Sequence, residues 1–475
     1  MSRLLRGFAY KVAKYSVPCA IALLPGSAMA QYFQINQGEY PTMFTDRDYS
    51  KLADPANRKT LLDNIHYIPL GIPGTSYLTL GGAIREQGWW YRNLRQGFPT
   101  SPQNKNDTLL NSRITVSAWY HVDQHLSMLV ELGSYFSPGR NKPYGANDVA
   151  PARIQNLFVD YTQKVGPLDI AARLGRQEFL FGSGRFLWNG NANNITTAVD
   201  GALVQATWDK GYRLQMFSAR PTVTTTTAFQ DGSYTQELSG VYITTPVIDK
   251  VLNVDEYYYY WRRPNVSLAG RSGTEQGDMV AGRVYGRVDD FRYDVDFGYK
   301  FGQFAHTRVG AVGTLGRVTY TFSKAEWQPI VQLQGGYFSG SNGYKSSTIG
   351  TFTAPFPRSA QLTYASFNAY SNMIHVAPAL ILNPTKEFAV RFGPQFNWRA
   401  SVNDYVYIPA QTPLTATRNN KASYIGTNMI GGVSWLLNSN TQVYVEYIHA
   451  FAGPAITLSG GKSSDAGVFQ VEFSF

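Results

Sequence analysis

Three features of this 475-residue chain predict an all-β protein, a transmembrane antiparallel up-and-down β-barrel of eighteen strands. The chain opens with an export leader. Period-two alternation of apolar and polar residues recurs along the rest of it. The connections between the alternating segments sort by parity into short and long. Strands that face hydrocarbon on one side and water on the other hide their hydrophobicity from an averaging window. Mean hydropathy is accordingly only −0.24.

The leader occupies residues 1–30. Arg3, Arg6, Lys11 and Lys14 form a positive n-region, Val17 to Leu24 a short apolar stretch, and Ala28-Met29-Ala30 a small-residue cleavage site before Gln31. The apolar run is interrupted by Pro18 and Pro25 and is too short for the ~20 residues of a spanning helix. Cleavage removes Cys19, the only cysteine, so no disulfide or cysteine-based metal site is expected, and no cofactor. It also lowers the formal charge from +10 to +6. No dense Lys/Arg run follows, which argues against nucleic acid as a partner.

After the leader the composition is that of a barrel. Charged residues make up 16% of the chain, below the ~25% of soluble domains, and aromatics 14%, with 32 Tyr, 27 Phe and 44 Gly. Residues 31–75 read as a periplasmic lead-in and candidate plug, broken by Asp54-Pro55, Ile68-Pro69 and Ile72-Pro73; residues 76–475 read as the barrel.

Alternation places strands near 77–90, 108–121, 125–136, 152–163, 167–178, 199–208, 211–219, 236–244 and 251–261. Nine more follow near 278–288, 292–302, 314–323, 328–339, 373–382, 386–400, 422–436, 440–450 and 467–475. Phe291, Tyr293, Val295, Phe297, Tyr299 and Phe301 share one face, opposite Arg292, Asp294, Asp296, Gly298 and Lys300. Even-to-odd links are tight, such as Asp123-Gln124, Asp209-Lys210 and Asp289-Asp290. Odd-to-even links are long: 91–107, 137–151, 179–198, 220–235, 262–277, 303–313, 340–372, 401–421 and 451–466. Short periplasmic turns and long outer loops are the outer-membrane pattern, and a soluble sandwich has no reason to sort its loops this way.

Aromatic runs at strand ends predict girdles: Trp89-Trp90-Tyr91 and Tyr257 to Trp261 outside, Trp208, Tyr320 and Phe322 inside. The last strand puts Phe469, Val471, Phe473 and Phe475 on one face. It resembles the C-terminal signal read by barrel-assembly machinery, and it must close on the first strand because unpaired backbone in lipid costs several kcal/mol per group.

The runs Asp48-Tyr49-Ser50, Asp54 to Arg58, Ile65 to Gly71 and Ser76 to Gly82 resemble the opening of the alginate-export family of outer-membrane channels. So do Gly175-Arg176-Gln177-Glu178, Gly182 to Arg185, Asp200-Gly201, Thr351-Phe352 with Pro355-Phe356-Pro357, and Trp398-Arg399 with Asp404 and Tyr407. The resemblance implies an eighteen-stranded barrel passing an anionic polysaccharide through an arginine-rich constriction. Ile84-Arg85-Glu86 and Thr353-Ala354 depart from the family pattern where an acidic residue is expected.

A channel needs a lumen whose charges suit its solute. Parity turns Arg85, Arg113, Arg173, Arg213, Arg283, Arg287, Arg317, Arg391 and Arg399 inward, with the acids Glu131, Asp169, Asp294, Asp296 and Glu446. Arginine suits carboxylates through its planar, permanently charged fork; the competing reading is that these arginines pair with the acids and fill the lumen. Strict parity points Arg176 and Glu178 toward lipid, but the family motif favours an inward turn at the strand end. Arg185 and Asp200 flank one long loop and are expected to pair there.

Loop 340–372 is a candidate gate. The expected partners are an anionic polysaccharide or a small anionic solute, outer-membrane lipid and lipopolysaccharide, the assembly machinery at Phe475, and periplasmic secretion proteins. The alternative function is a porin for small anionic or aromatic solutes. An enzyme is not expected. The six histidines, at 66, 121, 125, 306, 375 and 449, form no H-E-x-x-H motif, and Gly182-Ser183-Gly184 lacks nucleophile-elbow spacing.

Overall fold

A computed structural model describes residues 49–475 apart from 72–74, 99–105, 142–143, 146, 233, 344, 358–362 and 366. The leader and residues 31–48 of the lead-in lie outside the described residues. All eighteen predicted strands are present. In the first third, β1 spans Tyr77–Arg92, β2 Asp107–His121, β3 Leu126–Phe136, β4 Ala150–Val165, β5 Leu168–Glu178 and β6 Ala198–Trp208. Next come β7 Arg213–Pro221, β8 Glu237–Ile248, β9 Leu252–Leu268, β10 Arg271–Val288, β11 Phe291–Phe304 and β12 Thr307–Thr321. The last six are β13 Ile330–Phe338, β14 Met373–Leu382, β15 Phe388–Trp398, β16 Tyr424–Leu436, β17 Thr441–Ala452 and β18 Ser464–Ser474.

Each strand pairs antiparallel with its neighbours in sequence, and β18 pairs with β1 from Ala83↔Ser474 to Arg92↔Asp465. Closure leaves no edge to the bilayer. At the seam the Gly82 amide donates to the Phe475 carbonyl at 2.8 Å, and the Phe475 amide donates back at 2.9 Å. The outward face is apolar, as in β11, where Phe291, Phe297, Tyr299 and Phe301 are exposed while Asp296 and Lys300 on the other face are buried.

Two of the nine predicted long loops are not loops. Residues 262–277 and 303–313 belong largely to strands, so β9–β10 and β11–β12 are tall hairpins with two-residue turns, Ala269-Gly270 and Ala305-His306. All four turn residues have positive φ, between 44° and 75°, the twist that a two-residue hairpin needs. A bulge between Arg263 and Val266 breaks the alternation there, and Ala305-His306 carries no glycine to announce the turn. The aromatic runs also split by parity. Trp90 and Tyr258 face outward, whereas Trp89, Tyr257, Tyr259 and Trp261 are buried inside.

The outer half of the barrel is filled by its own loops. Phe179, Phe181, Phe186 and Leu187 of loop 179–197 pack against Phe217, Tyr242, Tyr257 and Trp261 of the wall. Phe352 and Tyr370 of loop 339–372 and Val406 and Ile408 of loop 399–423 join the same cluster. Each such side chain gains ~1.5–3 kcal/mol by leaving water; these loops are therefore core, not fringe. At the opposite end, helix α1 (Leu61–His66) is held by a capping box between Thr60 and Asp63. The Thr79 hydroxyl donates to the His66 carbonyl at 2.8 Å, and Tyr67 stacks on Tyr77 with centroids 4.3 Å apart. Thr79 and Tyr77 share the inward face with Arg85, so the lead-in sits against the periplasmic mouth of the lumen. His121 stacks on Tyr77 in the same cluster at 4.1 Å.

Candidate transport path

The lumen charges divide by what they hold. Arg85 and Arg113 lie opposite one another on β1 and β2. Both grip the turn at residues 191–194. Arg85 donates to the carbonyls of Asn191 at 2.6 Å and Asn193 at 2.5 Å. Arg113 donates to the carbonyls of Asn194 at 2.8 Å, Asn193 at 2.6 Å and Asn191 at 3.3 Å, and to the Asn191 side chain at 2.6 Å. Arg399 does the same for loop 399–423, donating to the carbonyls of Ala422, Asn420, Asp404 and Thr417. Glu446 accepts from the Thr363 hydroxyl at 2.6 Å, the Tyr364 amide at 2.9 Å and the Tyr444 hydroxyl at 2.6 Å, so it anchors loop 339–372. Arg391 is buried beside it.

A second group is ion-paired. Arg185 reaches from its loop to Asp294 at 2.8 Å and to Asp296. Arg283 forks onto Asp294 at 2.8 and 2.9 Å and touches Asp255 at 3.3 Å. Asp296 also accepts from the hydroxyls of Ser183 and Tyr257. Arg173 forks onto Asp160 at 2.7 and 2.8 Å and lies over the Phe158 ring. Glu131 accepts from Ser117 at 2.7 Å and Asn156 at 3.2 Å. Removing one member of such a buried pair costs ~3–5 kcal/mol, since the other charge is left in low dielectric.

The third group sits near the periplasmic end. Arg213, Arg287 and Arg317 lie on the inward faces of β7, β10 and β12. Arg287 donates to the Asp289 carbonyl at 2.6 Å, and Arg317 to the Gln334 side chain at 3.1 and 3.0 Å. Asp169 lies beside the β4–β5 turn, 3.8 Å from Lys164.

Arg176, Asp200 and Arg185 are placed otherwise than expected. Arg176 does not turn inward. It forks onto Asp200 at 2.7 and 2.9 Å, meets Asp231 at 2.6 Å, and lines a cavity of about 430 Å³ with Leu157 and loop 222–236. Asp200 shares its strand face with Val204 and Trp208, both outward and exposed, so the pair decorates the outer wall. Asp200 therefore pairs with Arg176 and not with Arg185, which has crossed the lumen to Asp294. Glu178, at the end of β5, accepts from Gln155, Asn189 and Thr196 and fastens loop 179–197. Gly175 makes room for this motif: its φ is 131°, and a Cβ would lie 2.3 Å from the Leu157 carbonyl.

Alternation put Lys300 on the polar face of its strand without naming it among the lumen charges; it is wholly buried and bonded to Glu275 and Thr353, and Arg263, which lay in a stretch read as loop, meets Glu275 at 2.5 Å. Glu275 lies in a stretch read as loop, which concealed its parity.

A closed barrel with an apolar belt and a charged, loop-filled lumen defines an outer-membrane channel. The model of the alginate export family matches residues 76–469, and the chain belongs to that family. No curated protein matches it. Among solved structures it resembles OccK1 (OpdK) of Pseudomonas aeruginosa, with 8% identity over 83% of this chain and 98% of that one and a TM-score of 0.53. It is also similar to a BenF-like porin from Pseudomonas fluorescens Pf-5, with 9% identity, 84% and 99% coverage and a TM-score of 0.54. OccK2 (OpdF) of P. aeruginosa, solved in complex with glucuronate, gives 9% identity, 84% and 96% coverage and 0.52. At such identity these likenesses establish the fold alone.

Proposed function

We propose that this channel exports an anionic exopolysaccharide, alginate or a similar polyuronate, along the arginine-bearing lumen. The observation that carries the reading is the arc of Arg213, Arg287 and Arg317 on inward faces near the periplasmic mouth. A chain of carboxylates arriving from the periplasm meets fixed cations there, in a pore whose low-dielectric walls focus their field. Periplasmic secretion proteins would deliver the polymer, lipopolysaccharide and lipid would surround the belt, and the Phe475 strand would serve the assembly machinery. No catalytic step is assigned.

The test is ion selectivity of the purified channel in planar bilayers, with loss of secreted polymer in a deletion strain. Anion selectivity and lost secretion are expected; a cation-selective pore refutes the reading. A second reading, passage of small carboxylates, is favoured by the packed outer loops, which leave a vestibule of about 960 Å³. The glucuronate bound by OccK2 is a solute of that size. Normal secretion with lost growth on such a solute would select it.

A further inference from the structure

The outer mouth holds a feature that transport alone does not require. Its vestibule is lined by half-buried Tyr91, Trp188 and Tyr364 and by three cations, Arg95, Arg140 and Arg263. Two of the cations are matched. Arg140 meets Asp148 at 2.8 Å, and Arg263 meets Glu275 at 2.5 Å. The Arg95 side chain has no hydrogen bond or ion pair among the described residues. Burial, then the charge of Arg140, holds its guanidinium below the ordinary pKa, which marks two like charges facing one cavity.

The backbone that carries Arg95 is strained. Asn93, Arg95 and Gln96 all adopt left-handed φ, 53°, 54° and 60°, without being glycine. The conformation is imposed from outside. The Lys462 amide donates to the Gln96 carbonyl at 2.7 Å, the Asn93 side chain to the Ser463 carbonyl at 2.9 Å, and the Ser464 hydroxyl to the Asn93 carbonyl at 2.7 Å. Loop 453–463 and the start of β18 thus clamp the turn in a shape that the chain alone disfavours. Strain held by surrounding structure at a cleft is a sign of function.

We infer that the outer vestibule is a recognition subsite for a uronate unit, with Arg95 taking the sugar carboxylate and Tyr91, Trp188 and Tyr364 the flat face of the pyranose. The inference rests on the export reading and adds a holding point at the exit. The chemistry suits each part. A guanidinium fork matches a carboxylate, while aromatic rings offer polarisable faces to the ring C–H groups at little entropic cost. Tyr91 is itself stacked on Trp89, 5.2 Å between centroids, so its face is fixed. The vestibule walls are mixed, aromatic rings interleaved with polar side chains, and of the three cations that face it the Arg95 side chain alone lacks a partner among the described residues, which suits a small polar ligand.

The test uses the whole channel in planar bilayers and a hexameric mannuronate added from either side. Block from the outer side is expected, weakened about tenfold by Arg95→Gln, the loss of one charge-assisted contact. Tyr91→Ala should weaken it comparably, Arg95→Lys should restore it in part, and a neutral glucose hexamer should block less. Periplasmic-side block should stay unchanged in all three variants, as should heat-modifiable gel migration, which certifies that they fold. An anion-selective wild type blocked equally in Arg95→Gln and Tyr91→Ala overturns the subsite and leaves export standing. A cation-selective wild type overturns export itself.

Discussion

The double substitution Arg85→Met with Arg113→Met asks whether these arginines are latches or only lining. Together they donate six hydrogen bonds to residues 191–194. At a net ~1 kcal/mol each, the set is worth about 6 kcal/mol. Separating two neighbouring guanidiniums returns part of this, leaving roughly 4 kcal/mol that holds the turn against the wall. That corresponds to about three decades in the ratio of docked to undocked loop. In single-channel recordings the variant should show larger or longer conducting events, because the undocked turn vacates the lumen. The reversal potential under a salt gradient should move toward zero, because two cations have gone. Arginines that merely attract anions would give the opposite in the first measurement, a smaller conductance. An unchanged or reduced conductance refutes the latch.

Other perturbations test other parts. Arg283→Met strands Asp255 and weakens the hold on Asp294, and should lower barrel stability by ~3–5 kcal/mol, read as an earlier midpoint for loss of the heat-modifiable gel band. Gly175→Ala should cut yield in the outer-membrane fraction severely, since its Cβ would meet backbone at 2.3 and 2.8 Å, while Gly431→Ala, with nothing within 4 Å, should assemble normally. Burial raises the Asp63 pKa, but the amides of Thr60 and Lys59 outweigh it, so the folded value lies below the ordinary 3.8. The α1 cap should therefore be intact above that value and lost as pH falls through the lower one, seen as vanishing protection of the Thr60 and Lys59 amides, which donate to the Asp63 carboxylate, in hydrogen exchange corrected for their intrinsic rates.

What the sequence disclosed follows from the range of each interaction. Lipid contact acts on every second residue of a strand, so Phe291 to Phe301 or Phe388 to Trp398 announce their face locally. Seam closure was legible from Phe475 because hydrocarbon allows no free edge. The tall hairpins escaped notice because their upper reaches stand clear of lipid, and Arg263-Pro264-Asn265 carries a bulge in place of a period. Partners across the lumen are different in kind. Arg185 and Asp294 are 109 residues apart, and Glu446 meets Thr363 across 83. Which carbonyl or carboxylate an inward arginine meets depends on how the long loops fold back, and no local pattern encodes that. For Arg176, strict parity was right and the inward turn expected from the motif was not.

The partners matter to the electrostatics in a way that the count of arginines does not reveal. Arg283, between Asp255 and Asp294, and Arg173, on Asp160, have fields largely cancelled by neighbouring carboxylates. Arg85 and Arg113 are as firmly held, but chiefly by peptide carbonyls, which fix geometry while leaving the full charge in place. Glu472 faces Arg85 across the seam, yet the hydrogen bond it accepts comes from Gln470. Latching and lining are thus compatible at this pair and opposed at Arg283. Under the export proposal, the residues that would set selectivity are then the carbonyl-bound arginines and the periplasmic arc, not the most tightly paired ones. Neutralising Arg173 should disturb assembly and spare the reversal potential; neutralising Arg113 should do the reverse.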